Sequence, residues 1–344
     1  MKKEKIGIRK VFFLFIFVAL PVFSYTYAKY STGVDDGNID RSAEVDGTGL
    51  QIKSIDTQIV SKHWNMEDPE IIKQQITDLR DLGANYIAVS TPYDNHGELK
   101  LWADAIHKAG LNVWFRSHWL NWEGDDNHPS DMTMREYLIK TSEFIRSNPT
   151  LFEENDAFTV CVEPEQAFVA RKTNVYDWRA YNQFVRDQIE TANLAFSEIK
   201  LPGKIYTNWI SMNGWVVENG LEKETVEKMG VITVDHYTNQ KVILPPSEFA
   251  RDLKTDLERI YKKWEKPIIL GEWGYNIEQE VSDYEQRAVV SESLQGLRDL
   301  DFLVGVNYWA HMGNSSRLID DRQGTPISYR PAALELKAYY YESK

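Results

Sequence analysis

From about residue 50 the chain alternates between two kinds of apolar pattern. Short runs rich in β-branched and aromatic residues give way to polar loops. Longer segments follow, in which apolar positions recur every three or four residues. The first pattern is that of a buried strand and the second that of an amphipathic helix. "GLQIKSIDTQIV" predicts a first strand, and "DPEIIKQQITDLRDLG" a helix after it. There Asp68 is placed to cap, Pro69 suits the first turn, and Ile72, Ile76 and Leu79 share a face before Gly83 ends the helix. "NYIAVSTP", "LNVWFRSHW", "AFTVCVEPE", "KIYTNWIS", "VITVDHYT", "PIILGEWGY" and "FLVGVNYWAH" predict the remaining strands. The intervening helices are "ELKLWADAIHKAG", "MTMREYLIKTSEFIRSNP", a long one from Trp178 to Ile199, and one through about Glu222 to Met229. "PPSEFARDLKTDLERIYKKWEKP", "SDYEQRAVVSESLQGLRDL" and the terminal "RPAALELKAYYYES" complete the set.

Eight strands alternating with eight helices predict an α/β fold, a (β/α)8 TIM barrel, as one domain over residues 49–344. An open doubly wound sheet would carry a glycine-rich phosphate turn after its first strand, and this chain has none.

Upstream the pattern changes. "MKKEKIGIRK" is basic and "VFFLFIFVALPVFSYTYA" is apolar, so residues 1–28 read as a signal peptide or an N-terminal anchor. Ala28 with Thr26 offers a cleavage point, and Pro21 interrupts a run already short for a membrane span. Either reading puts the remainder outside the cytoplasm, secreted or held at the membrane only through this segment. Residues 29–48, rich in Gly, Asp and Ser without an apolar period, read as a flexible linker.

Composition narrows the function. The net charge is −13, from 52 acidic and 39 basic residues, which argues against nucleic acid as the main partner. Cys161 is the one cysteine, so neither an intrachain disulfide nor a cysteine zinc cluster can form.

Active sites of such barrels lie at the C-terminal ends of the strands. The residues there are His63 and Trp64; Ser90, Thr91 and Tyr93; Arg116, His118 and Trp119, with Trp122 beyond; and Glu163 and Glu165. The later strands add Asn208 and Trp209; Asp235, His236 and Tyr237; Glu272 and Trp273; and Asn307, Trp309 and His311. So many carboxylates and large aromatics on one rim suit a carbohydrate site, since aromatic faces stack on sugars. Carboxylates from strands four and seven stand across the mouth from each other. Glycosidic bond hydrolysis needs such a pair: one acid protonates the leaving oxygen, and the other attacks the anomeric carbon or activates water. The seven histidines are scattered, and strand one offers "KHWN" where a metal-dependent barrel would present His-x-His, so no metal is expected. Trp102, Trp178 and Trp264, on helices, are expected to pack.

Three segments resemble the clan A glycoside hydrolases, the barrel superfamily that includes the family-five cellulases and mannanases. "VEPE" resembles the Asn-Glu-Pro that carries the acid/base, "ILGEWGY" the strand-seven nucleophile motif, and "VNYWAH" the strand-eight segment whose Trp floors the sugar site. The resemblance runs from about residue 55 through most of the chain. It implies Glu163 as acid/base, Glu272 as nucleophile and Trp309 as stacking platform. It also sets Tyr237 near the nucleophile, His236 near the strand-six histidine, and Arg116 and His118 beneath the substrate. The implied reaction is retaining hydrolysis of a β-glycoside without metal or organic cofactor. Trp64, Trp273 and Glu165 complete the candidate substrate-binding set, with Glu165 also an alternative acid/base.

The chain departs from this pattern at Val162, where the family has an Asn that binds the sugar 2-hydroxyl, and at Thr238, where a Tyr is common. Asn208 or Asn307 is then the candidate for the missing contact. The departure leaves a second reading, a non-catalytic carbohydrate-binding protein on the same scaffold; a metal-dependent barrel hydrolase, which loss of activity on chelation would support, is a third.

Overall fold

A computed structural model describes residues 50–63, 68–119, 132–169, 177–201, 203–237, 243–275 and 281–343. The expected signal segment and linker lie outside the described residues, as do Trp64, Trp122 and Thr238. Among the described residues no helix is long and apolar enough to cross a membrane.

Eight parallel strands form the sheet: β1 (Ile52–Asp56), β2 (Tyr86–Val89), β3 (Asn112–Phe115), β4 (Ala157–Phe158), β5 (Ser211–Asn213), β6 (Ile232–His236), β7 (Ile268–Trp273) and β8 (Leu303–Tyr308). Their order is β4-β3-β2-β1-β8-β7-β6-β5. The two edges meet at a parallel bridge between Ala157 and Tyr206, where the Phe158 amide donates to the Tyr206 carbonyl at 2.8 Å. The sheet therefore curls round on itself, as the βα rhythm predicts.

The helices are α1 (Gln58–His63), α2 (Pro69–Asp81), α3 (His96–Lys108), α4 (Met134–Ser147), α5 (Trp178–Glu198), α6 (Gly214–Asn219), α7 (Lys223–Met229), α8 (Pro246–Trp264), α9 (Asp283–Leu297) and α10 (Pro331–Glu342). Asp68 caps α2 as its sequence position implies, accepting from the Glu70 amide. Thr133 with Glu136, and Ser282 with Glu285, form capping boxes at α4 and α9. The longer helices α2, α3, α4, α5 and α8 each bury an apolar stripe. On α8 the stripe is Phe249, Leu253, Leu257 and Ile260, each fully buried side chain worth about 1.5–3 kcal/mol of transfer free energy. A separate inner layer, including Ile52, Tyr86, Trp114, Trp209, Ile269 and Val304, fills the barrel.

Three departures from the sequence pattern bear on the site. β1 stops at Asp56, because that side chain accepts the Gln58 amide at 2.6 Å and starts α1 where a longer strand was expected. β5 begins only at Ser211, so its tip lies beyond the expected one. After β8 an antiparallel hairpin appears, β9 (Ile319–Arg322) and β10 (Thr325–Tyr329), which apolar periodicity does not reveal. Gln75 of α2 holds its turn through the Gly324 carbonyl at 2.8 Å.

Candidate active site

Successive side chains on a strand point to opposite faces, and this sorts the rim residues. Asp56, Arg116, Ser211, Glu272 and Asn307 form a hydrogen-bonded polar layer inside the barrel at the strand ends, with Asp235 packed beside it. Trp273 and His236, each beside one of these, turn outward to the helices.

Arg116 organises the layer. Its guanidinium is buried over the Trp114 ring at 5.1 Å. One terminal nitrogen donates to Asp56 Oδ2, and the other to Glu272 Oε1 and to Ser211 Oγ at 3.1 Å. Burial works against its charge, but Glu272 and Asp56 outweigh that and hold it cationic. Asp56 is also held by the Asn307 amide at 3.1 Å. Burial raises its carboxyl, and Arg116, the Gln58 amide and Asn307 oppose that rise.

Glu272 is gripped from a second side. The Tyr237 hydroxyl donates to its Oε2 at 2.5 Å. Burial, and then the charge of Glu272, push the Tyr237 phenol well above its ordinary range, so it stays a donor. Tyr237 stands edge-on to Trp309, ring centroids 5.8 Å apart, and the Trp309 indole donates to Gln58 Oε1 at 2.9 Å. Trp309 is half-buried, and the peptide that follows it is cis.

Asp235 is 2% exposed, and neither oxygen takes a hydrogen bond among the described residues. Burial, then the charge of Glu272, raise its carboxyl well above the ordinary value, and Arg116 only partly offsets this. Arg116 thus pairs with Asp56 and Glu272, while burial beside them favours the protonated form of Asp235. The layer is crowded as well. A Cβ on Gly271 would fall 2.5 Å from Ser211 Oγ and 2.6 Å from Asp235 Oδ1, so only glycine fits there.

Glu163 follows β4. Its backbone is left-handed, with φ of 42°, a conformation that costs a non-glycine residue about 1–3 kcal/mol. The turn is pinned: its amide donates to the Ser211 carbonyl at 3.0 Å, and its carbonyl accepts from Gln166 at 2.8 Å. The residue is half-buried, and its charge reaches Tyr237 and Asp235 inside the barrel as well as Cys161 and Tyr181 in the outer layer. Glu165 is 3% exposed and already engaged, accepting from the Asn213 amide at 2.7 Å and the Tyr181 hydroxyl at 3.1 Å. Burial raises its carboxyl to about 7, against those two hydrogen bonds.

Other expected residues are placed differently. Trp273 is wholly buried against Tyr308, ring centroids 5.2 Å apart, in the layer between sheet and helices. His236 faces α8. Asn208 donates to the Met229 carbonyl at 2.5 Å. That carbonyl ends α7 just before β6 begins, so Asn208 belongs to the rim opposite the mouth. Both amide hydrogens of Asn307 go to Asp56 and the Gly271 carbonyl, so neither asparagine is presented to a sugar. His118 lies on the same side of its strand as Arg116, its Nε2 accepting from Lys62 at 2.7 Å. Trp119 packs on α4 through Thr141, and Trp209 inside the barrel. A groove of about 620 Å³ between α4 and α5 lies on the outer wall and contains none of these residues.

Asp56 and Ser211 were not among the expected site residues. The strand boundaries hid both, each lying inside a predicted strand rather than after it.

No family model matches the chain, and no curated protein does. Solved structures do. A GH5_18 protein from Streptomyces cattleya, crystallised with GlcNAc, matches with a TM-score of 0.62 at 13% identity over 86% of this chain and 81% of that one. A GH113 β-mannanase from Alicyclobacillus acidocaldarius matches with a TM-score of 0.57 at 14% identity, over 85% of this chain and 98% of that one. A β-D-glucuronidase from Dictyoglomus thermophilum matches with a TM-score of 0.57 at 19% identity. The chain spans about half of that glucuronidase's length, covering 51% of it. At these identities the likeness establishes the fold: a TIM barrel of the kind found in clan A glycoside hydrolases.

Proposed function

We propose that the protein is a retaining glycoside hydrolase that cleaves β-glycosidic bonds of an oligosaccharide or polysaccharide outside the cytoplasm. The observation that carries this reading is Glu272. It sits at the tip of β7 at the mouth end of the barrel, held by Arg116 and Tyr237, and Glu163 follows β4 at the same end of the parallel sheet. The likeness in fold supports it.

In this reading Glu163 protonates the glycosidic oxygen while Glu272 attacks the anomeric carbon, giving a glycosyl ester. Glu163 then takes a proton from the incoming water, which frees Glu272 with net retention. The carboxyl groups should stand about 5 Å apart for this course. Trp309 floors the sugar, while Arg116 and Tyr237 orient the nucleophile. Glu163 is preferred to Glu165 because both Glu165 oxygens are already occupied. The reaction requires neither a metal nor an organic cofactor.

Glu163→Gln tests the assignment. Hydrolysis of glycosides with poor leaving groups should slow far more than that of activated aryl glycosides, and equal slowing contradicts the role.

One observation favours a second reading. Val162 is buried where the family resemblance expects an asparagine for the 2-hydroxyl. A non-catalytic carbohydrate-binding protein would bind sugar equally well after Glu163→Gln or Glu272→Gln and would have no turnover to lose.

A further inference from the structure

β6 ends in Asp235-His236, and strand alternation sends His236 away from the barrel axis onto α8. Its ring is 5% exposed and edge-on to Phe249, centroids 5.9 Å apart. α8 presents Asp252 and Asp256 to it, one turn apart on the same face. His236 Nδ1 is 3.2 Å from Asp256 Oδ2, and Nε2 is 3.6 Å from Asp252 Oδ2. The buried Nε2 makes no hydrogen bond among the described residues and faces Asp252. One nitrogen of the ring and one oxygen of each acid lie within 4.8 Å of one another.

The two acids bring negative charge onto one face of α8. Acids at i and i+4 of a helix repel. Arg259 takes the other Asp256 oxygen at 2.8 Å, but it is shared with Glu218, also at 2.8 Å. An imidazolium could donate to both carboxylates, whereas a neutral imidazole carries one N–H and leaves its second nitrogen facing the other acid lone pair to lone pair. With the ring neutral, a divalent cation removes that conflict by accepting a lone pair from each of the three groups.

We propose that His236, Asp252 and Asp256 form a divalent-cation site on the outer wall of the barrel. One imidazole with two carboxylates suits a borderline ion such as Zn²⁺ or Mn²⁺ better than Ca²⁺ or a soft ion. Ligand atoms bound tetrahedrally at roughly 2.1 Å stand about 3.4 Å apart, so small side-chain rotations close the site. The Asp252 side chain is 53% exposed, which gives the ion an entry path and leaves positions for water. The site is structural: it faces away from the mouth and ties the end of β6 to α8, one residue before Tyr237. It stands whether or not the barrel hydrolyses glycosides.

The test uses tag-free full-length protein stripped with EDTA and titrated calorimetrically with ZnCl₂ and, separately, MnCl₂. Thermal denaturation runs alongside. One ion should bind per chain and raise Tm. Asp252→Asn, at an exposed position, should keep the metal-free Tm, weaken binding at least about tenfold and abolish the metal-induced rise. Asp256→Asn should weaken binding likewise, and if it folds poorly Asp252→Asn alone decides. No binding at millimolar ion, or binding unchanged in Asp252→Asn, overturns the site and leaves a histidine–carboxylate ion pair only.

Discussion

Arg116→Met removes the one cation from a buried layer that holds Asp56, Asp235 and Glu272. Breaking a buried ion pair from one side typically costs about 3–5 kcal/mol. A second figure applies to each orphaned carboxyl separately, because it can escape by taking up a proton. For Asp56, with an ordinary value of 3.8, remaining protonated at pH 7 costs about 4 kcal/mol, and at pH 5 under about 2 kcal/mol. The sign follows from linkage. Without Arg116 the folded-state affinity for a proton rises further above the unfolded one. Stability is then full below the ordinary value and is lost as pH rises toward the folded value. The variant should therefore be less stable than wild type by about 4 kcal/mol at pH 7, which for a domain of this size lowers Tm by roughly 10 °C. The deficit should shrink to less than half at pH 5. Urea denaturation of both proteins at pH 5, 6 and 7 measures it. A deficit independent of pH, or one under about 1 kcal/mol at pH 7, would refute the reasoning that Arg116 neutralises this layer.

Two further outcomes follow from the same layer. Tyr237→Phe deletes a hydrogen bond to a charged group, worth about 1.5–3 kcal/mol, so kcat/KM on any hydrolysed glycoside should fall roughly 10- to 100-fold while the fold persists. Unchanged kcat/KM would remove Tyr237 from the machinery. Asp235→Asn mimics the protonated acid. The folded Asp235 carboxyl is raised, so the stability it contributes is present below its ordinary value of 3.8 and is lost as pH rises above it. The variant should gain on wild type by up to about 1.4 kcal/mol per pH unit above pH 4. A stability difference that does not change with pH would show Asp235 to be ionised.

Most of the architecture is legible in the alternation of apolar patterns. Periodicity locates the long helices because their stripes are wide and their caps explicit, as at Asp68 before α2. Strand ends are less legible. The run "GLQIKSIDTQIV" looks continuous, yet the Asp56 side chain captures the Gln58 amide and turns the chain into α1. The inward Asp56 is hidden for that reason, and Ser211 is hidden in the same way because β5 starts late. A signal that bears on Trp273 and His236 was present, since the alternation that sends Glu272 and Asp235 inward sends their neighbours outward. Asn208 misleads for a different reason: the predicted strand covered residues 204–211 whereas β5 begins only at Ser211, so a residue before the strand resembled a tip residue. The Glu163 turn is beyond pattern reading, because its left-handed backbone is held by the carbonyl of Ser211, remote in sequence.

The most direct test of the hydrolase reading is to trap the glycosyl-enzyme. The protein is incubated with 2-deoxy-2-fluoro-β-glycosides bearing an activated leaving group, then digested and sequenced by mass spectrometry. The account expects one fluoroglycosyl group per chain, on the peptide "PIILGEWGY" at Glu272, and its slow release when an acceptor sugar is added. Labelling at another carboxylate, or none with fluoroglucoside, fluoromannoside or fluoroglucuronide while the sugars themselves bind, would contradict it.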